Sequence, residues 1–276
     1  MPDPLGGFAF VWPFHAAALA GYLLGSIPFG LLLTRLGGAG DIRAIGSGNI
    51  GATNVLRTGR KGLALATLLL DGGKGAVAVV LANAYLTQDF AVLAGGGALL
   101  GHVFPVWLGI GNLRAALATL VSLGGLILAY ILVAGDGGWP AGLLGVAILA
   151  LATWFAWGGK GVATGLGILL AMAWPVGLAA CAVWLIVAAL SRLSSLAALA
   201  AFVLAPVTTW YLSGPGHALS GIHQTDVQRI EFAAFLALVI VLRHRDNILR
   251  LARGEEGRIG GAGRNGSDPS ARPGQP

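Results

Sequence analysis

Apolar stretches at about 10–34, 62–86, 90–108, 113–134 and 139–157 each match, or come close to, the ~20 residues that carry a helix across a ~30 Å hydrocarbon core. Within the hydrocarbon every backbone N–H and C=O has to be bonded inside the chain, so these segments are helices. Composition offers them no other solvent. Of 276 residues, 56% are hydrophobic and 10% charged, too little polar surface to cover a water-soluble globule of that length. The fold class expected is all-α, a polytopic transmembrane helix bundle. The single cysteine, Cys181, excludes an internal disulfide and any multi-cysteine metal site. A formal charge of +6 would suit nucleic acid in a soluble protein, but here the bases stand at the ends of apolar segments and in the tail. No nucleic-acid partner is expected.

Residues 162–190 are too long for one crossing, overshooting the core by roughly 10 Å as a single helix, and Trp174-Pro175 interrupts them. Further spans are expected at 195–213 and 228–243. Arg35, Arg43, Arg57, Arg60 and Lys61 crowd the first loop, whereas the stretches before Trp12, around Gln88-Asp89 and around Asp136 carry no Lys or Arg. The positive-inside bias therefore puts the N-terminus outside and the first loop in the cytosol. Splitting 162–190 at Pro175 returns Arg192, Arg243, Arg245, Arg250, Arg253 and Arg258 to the cytosol as well, for nine helices with a cytosolic C-terminus. Residues 1–253 are read as a single transmembrane domain, and 254–276, rich in Gly, Arg, Ser and Pro, as a disordered cytosolic tail. No signal peptide is expected, since no charged region precedes the first apolar run.

Three polar, basic islands interrupt this apolar chain, all on the predicted cytosolic side. In Arg43 through Asn54 the glycines at 46, 48 and 51 allow close backbone approach, so that N–H groups can turn toward an anion while Ser47, Asn49, Thr53 and Asn54 add side-chain bonds. A tight, capped cytosolic loop accounts for the same residues equally well. In Gly158-Gly159-Lys160-Gly161-Val162-Ala163-Thr164 an ammonium stands beside the N-terminus of a helix, a favourable place for an anion. Trp154 and Gly161 occupy the places that a Walker A loop reserves for other residues, and a snorkelling lysine is the plainer reading of this island alone. In Arg243-His244-Arg245-Asp246-Asn247-Ile248 four donors close the last span, and arginines there serve topology in any case.

Asp71 and Lys74 lie inside the second span at i, i+3 and can neutralise one another, and His102 reads as an interhelical hydrogen-bonding residue. The chain has no Gly-x-Ser-x-Gly elbow, no His-x4-Asp pair, no His-Glu-x-x-His and no carboxylate cluster fit for a metal. What is left is an anion-holding site, which can catalyse group transfer by positioning phosphorylated substrates and stabilising developing charge.

Taken in order, these strings resemble the bacterial acyl-phosphate:glycerol-3-phosphate acyltransferase family of integral membrane enzymes. The likeness also covers Gly25 through Gly30, Leu70-Asp71 with Lys74-Gly75, Gly101 through Val106, and Arg192 through Leu196. It implies transfer of a fatty acyl group from acyl phosphate, drawn from the lipid phase, to the 1-hydroxyl of sn-glycerol 3-phosphate from the cytosol, at a bacterial plasma membrane. The products are lysophosphatidate and phosphate, and no cofactor, metal or covalent acyl-enzyme is implied; the donor's phosphate takes the proton. Carried over position by position, Ser47, Gly48, Asn49 and Asn54 match the first substrate motif, Gly159, Lys160, Gly161 and Thr164 the second, His244, Arg245 and Asn247 the third, and Ser195 a further polar position. The departure is Ile110 to Trp157, which separates strings that the family holds close together; it reads as an inserted helical hairpin at about 110–157 added to a family-type seven helices.

A carrier or binding protein for a phosphorylated solute is the competing reading, and an inactive paralogue disrupted by the insertion is a third. Against transport, no inverted repeat is evident and the charges cluster on one face instead of near the midplane.

Overall fold

The computed structural model describes residues 8–109, 116–117, 120, 124, 144, 147–148, 151–153, 156–213 and 226–260, with side chains from Trp12 onward. Among them every regular element is helical: α1 (Phe8–Gly25), α2 (Phe29–Leu36), a 3-10 turn (Ile42–Ala44), α3 (Ala52–Leu56), α4 (Lys61–Tyr85), α5 (Gln88–Val103), α6 (Val106–Gly109), α7 (Val162–Met172), α8 (Trp174–Ser191), α9 (Ser194–Leu212), α10 (Val227–Arg243) and α11 (Arg245–Ala252). Five segments, Trp12–Leu36, Lys61–Tyr85, Gln88–Gly109, Trp174–Ser191 and Ser194–Leu212, are long and apolar enough to cross a membrane. The spans expected at 113–134 and 139–157, and with them the hairpin at 110–157 and the count of nine, lie almost wholly outside the described residues.

Three breaks in these helices shape the molecule. Pro28 has no N–H to continue α1, and the carbonyl of Ile27 is taken up by Lys74 Nζ from α4 at 2.9 Å. Before Pro105 the carbonyl of Phe104 accepts the Tyr22 hydroxyl at 2.8 Å. At Ala173 the chain turns from α7 to α8, with Pro175 in the first turn of α8, where a missing N–H costs nothing. The split expected at Trp174-Pro175 is thus present. The first of the two pieces, α7, is short, with 11 residues. At ~1.5 Å per residue it reaches only about half of a ~30 Å core.

Lipid supplies no hydrophobic force between helices, so their association depends on close packing through small residues. Gly21 and Gly25 on α1 rest on the backbone of Ala94 and Ala98, while Gly97 and Gly101 on α5 rest on Ala18, Tyr22 and Gly25 in return. Gly167 on α7 meets the backbone of Gly72 on α4 in the same way. Around these seams Val79, Leu99, Ile168, Phe202, Leu236 and Ile240 are fully buried. Leu65, Leu69, Leu81, Leu185, Leu190 and Val203 point outward, as side chains bathed in lipid do.

Gly96 and Gly97 separate seam from surface. A Cβ at Gly97 overlaps the Ala18 carbonyl, whereas one at Gly96 reaches the Phe232 ring at 3.6 Å, an ordinary contact. Gly97→Ala is expected to cost about 1–3 kcal/mol through overpacking, and Gly96→Ala to be neutral or mildly stabilising through helix propensity. Thermal unfolding in detergent distinguishes them, and equal midpoints for the two variants would contradict the seam.

Candidate active site

The first polar loop is organised by one amide. Asn54, 2% exposed on α3, donates to the carbonyls of Ile42, Ile45 and Asn49 at 3.1, 2.9 and 2.8 Å. Its Oδ1 accepts the Ser47 N–H at 3.2 Å and Arg57 Nη1 at 3.3 Å. Gly46 and Gly48 have φ of 56° and 69°, and a Cβ at Gly46 would stand 2.6 Å from Asn54 Oδ1, so a left-handed glycine is required there. The Gly48 N–H donates to Ile45 O at 3.0 Å, and Asn49 Oδ1 accepts from Gly51 N–H at 3.2 Å. The amides of Ser47 and Gly48, expected to turn toward an anion, instead close the loop. Groups presented outward are the side chains of Ser47, Thr53 and Arg57.

The second loop sits on the end of α5. Gly158 N–H donates to Val103 O and Gly159 N–H to His102 O, both at 3.0 Å. A side chain at either glycine would overlap His102, by its carbonyl at Gly158 and by its ring at Gly159. The loop's own carbonyls are gripped by Arg243 at the end of α10, which donates to Thr153, Gly158 and Gly159 at 3.2, 3.1 and 3.4 Å; Arg245 also reaches Thr153 O at 3.4 Å. Irregular backbone is tolerated at membrane depth only when its polar groups are met in this manner. Gly161, at φ 83°, then turns the chain into α7, whose N-terminus no side chain caps. Thr164 is fully buried and its hydroxyl donates to Asp71 O at 2.8 Å, so it fastens α7 to α4 and is not available to a ligand.

The second and third islands meet directly. Lys160 Nζ donates to Asn247 Oδ1 at 2.6 Å. Asn247 passes the contact on, donating from Nδ2 to Glu256 Oε1 at 2.6 Å, and Arg250 Nε bonds Glu256 Oε2 at 2.8 Å. Ser195, 3% exposed at the start of α9, lies against the same carboxylate. Residues 254–260 are therefore not the start of a disordered tail: Glu256 anchors them at one end and Ile259 at the other, where its N–H donates to Arg192 O at 2.7 Å. Residues 261–276 lie outside the described residues.

Burial chiefly lowers the Lys160 pKa, to about 8, helped by Arg250, Arg243 and Arg57 and opposed by Glu256. Burial likewise lowers His244 to about 4, aided by Lys160. Its Nδ1 lies 2.7 Å from Ile240 O, and a carbonyl only accepts, so Nδ1 carries the proton and the neutral ring keeps Nε2 as an acceptor. His244, expected in the third island as a donor, thus spends its N–H on the Ile240 carbonyl. Burial works to raise Glu256, but hydrogen bonds from Asn247 and Arg250, with the Ser195 hydroxyl close by, outweigh it and leave the pKa lowered.

Between the first loop and the tail lies a cleft of about 270 Å³ whose walls include Thr53, Arg57, Ser194 and Arg258. Lys160, Ser195, His244 and Asn247 are brought together around Glu256, and Arg57 carries the first loop to them. Asn54 and Thr164 are held away as fasteners, and Arg245 supports the second loop. The sequence reading missed Arg57, which had been counted as a topology charge although it follows Asn54 by one helical turn. It also missed Arg250 and Glu256, and read Arg243 as a donor for phosphate where it holds loop carbonyls; a lone acidic pair in a basic run was the one available signal for Glu256.

Comparison with known proteins places the chain in a family. A family model described as glycerol-3-phosphate acyltransferase matches residues 15–156 and 126–254. A glycerol-3-phosphate acyltransferase of Paramagnetospirillum magneticum is 50% identical over 246 residues, covering 89% of this chain and 94% of its own. One of Rhodospirillum rubrum is 50% identical over 251 residues, covering 88% and 89%. The crystal structure of PlsY (YgiH), an integral membrane glycerol 3-phosphate acyltransferase, in its glycerol 3-phosphate form superposes with a TM-score of 0.65 at 29% identity over 90% of this chain and 96% of that one. Matched by that family model over most of its length and half identical to these relatives, the chain belongs to the glycerol-3-phosphate acyltransferase family.

Proposed function

We propose that this acyltransferase takes its acyl group from acyl phosphate and delivers it to the 1-hydroxyl of sn-glycerol 3-phosphate. The observation that carries the reading is the 2.6 Å bond between Lys160 and Asn247, which joins two distant motifs at the polar end of the bundle beside Arg57 and Ser195. Lys160, Arg57 and Arg250 outnumber the one carboxylate, so the cluster retains positive charge for a phosphate. In the reaction the hydroxyl oxygen bonds to the acyl carbon, the bond from that carbon to the phosphate oxygen breaks, and the hydroxyl proton passes to the departing phosphate. Atoms and charge balance without an enzyme base, which suits a neutral His244 whose Nε2 can orient the hydroxyl by accepting its hydrogen bond. The outward-facing Ser47 and Gly48 and the half-buried Asn49 meet substrate from the first loop, the buried Gly159 and Gly161 set the position of Lys160, and lysophosphatidate leaves into the lipid.

The same reading sets the cluster on the cytosolic face of a bacterial inner membrane, with the N-terminus outside. Its supports are the basic first loop and the bacterial sources of the relatives. Residues 110–157 form the inserted hairpin in this scheme; the two family matches overlap at 126–156, inside that stretch.

Purified protein supplied with palmitoyl phosphate and glycerol 3-phosphate is expected to release phosphate and lysophosphatidate in equal amounts. Product from acyl-CoA alone would overturn the donor, and neither product from folded protein would leave binding without catalysis. Lys160→Ala is expected to lower kcat/KM by about 100-fold or more, the scale of losing one preorganised charged donor. Steady-state kinetics of that variant check it, and wild-type turnover would remove Lys160 from the site. The ammonium is the form that holds phosphate, so kcat/KM should fall as pH rises through about 8. No acid limb belonging to His244 is expected between pH 5 and 7, since its pKa lies at about 4. A flat profile from pH 7 to 10 would contradict the assignment.

A further inference from the structure

One buried charge cluster stands apart from the site described so far. Asp71 and Lys74 on α4 and His102 on α5 are 2%, 3% and 3% exposed. Lys74 Nζ lies 2.8 Å from Asp71 Oδ1, and His102 Nδ1 lies 3.7 Å from the same oxygen. An ion pair at this depth is a poor stabiliser, because desolvating both charges offsets most of their attraction, and apolar replacements of similar volume generally leave such folds intact. Packing alone gives no reason to keep charges inside the bundle.

The contacts at its two ends give one. Lys74 Nζ also donates to Ile27 O at 2.9 Å, at the break from which α2 leads into the first polar loop. On the other side the Asp71 carbonyl accepts the Thr164 hydroxyl at 2.8 Å, and the His102 carbonyl accepts the Gly159 N–H at 3.0 Å. Gly159 and Thr164 flank Lys160. One pair of charges therefore lies between the root of the first loop and both sides of the phosphate-binding lysine.

We propose that Asp71 and Lys74 are positioning residues for acyl transfer: their ion pair fixes the break at Ile27 relative to the Gly158–Gly159–Lys160 loop and so sets the spacing of Arg57 and Lys160 across the cleft. The inference rests on the acyl-transfer reading above. Without the pair the bundle still closes through its glycine seams, but the two loops lose their shared anchor. Each loop keeps its own phosphate contacts, so substrate binding suffers less than the alignment of hydroxyl and acyl carbon.

The test is the double variant Asp71→Asn, Lys74→Met in the full chain, which removes both charges at nearly constant volume. It is expected to unfold within about 5 °C of the wild type in detergent. Its kcat should drop at least about tenfold, as small misplacements of reacting groups do, while KM for glycerol 3-phosphate changes less than about threefold. A folded double variant with wild-type kcat would overturn the proposal. A double variant that does not fold would also count against it, since the pair is argued to be dispensable for packing. Thr164→Val, which cuts only the tie from Asp71 to α7 and leaves both charges paired, gives an independent reading: lower kcat at an unchanged midpoint supports the proposal, and unchanged kcat opposes it. If the wild type itself turns nothing over, the acyl-transfer reading falls and takes this role with it. Equal turnover by wild type and variant removes the positioning role alone.

Discussion

Backbone groups set free inside a membrane have to be bonded to something, and the shape of this protein follows from how it meets that demand at its helix breaks. Lys74 takes the Ile27 carbonyl, Tyr22 that of Phe104, and Arg243 three carbonyls of the loop before α7. Each donor comes from a different helix than the break it serves. The polar contacts that make the irregular backbone tolerable are therefore also the ones that hold the helices in register, and the reactive loops inherit their positions from them.

The same economy governs the charges. Burial weakens the grip of Lys160 on its proton, yet its neighbours divide into Arg57, Arg243 and Arg250 on one side and Glu256 on the other. A carboxylate in an anion site is at first sight misplaced. It is bonded to Asn247 and Arg250 instead of to Lys160, so it orders the third motif and the following chain while leaving the ammonium to a weaker, neutral partner. An amide oxygen is easily displaced by phosphate, a far stronger acceptor for an ammonium, and Asn247 thus holds Lys160 in place without competing for it.

Much of this could be read in the chain, and the failures have physical causes. Apolar length and Pro175 revealed spans and one break, because both depend on local sequence, whereas the breaks at Pro28 and Pro105 were passed over inside runs read as single spans. Convergence of the three islands followed from counting crossings. The roles within the islands were less legible. Asn54 and Thr164 look like ligands in a string of polar residues, but whether an amide or hydroxyl faces inward depends on which helix packs beside it. Arg57 and Arg243 carry the charge expected of topology signals, and only their partners distinguish a signal from a fastener. Glu256 stands between Glu255 and Gly257 in a polar stretch whose composition promises disorder; it is ordered by Asn247 and Arg250, neither of which its own neighbours specify. The division of the 29-residue apolar run 162–190 was legible from its excess length and Pro175, but total length does not say how unequal the two pieces are.

The burial of Lys160 bears on the chemistry. The proposed donor is an amphiphile whose reacting carbon sits where an apolar tail joins a doubly charged head, so attack on it takes place at the boundary of the hydrocarbon, not in bulk water. An ammonium standing in water is screened by solvent, which weakens its hold on phosphate. With the glycines of the loop before α7 folded onto His102 and Val103, Lys160 is set beside protein instead of water. Its depressed pKa is the electrostatic cost of that burial, and the stronger interaction with a developing phosphate charge is what the burial provides.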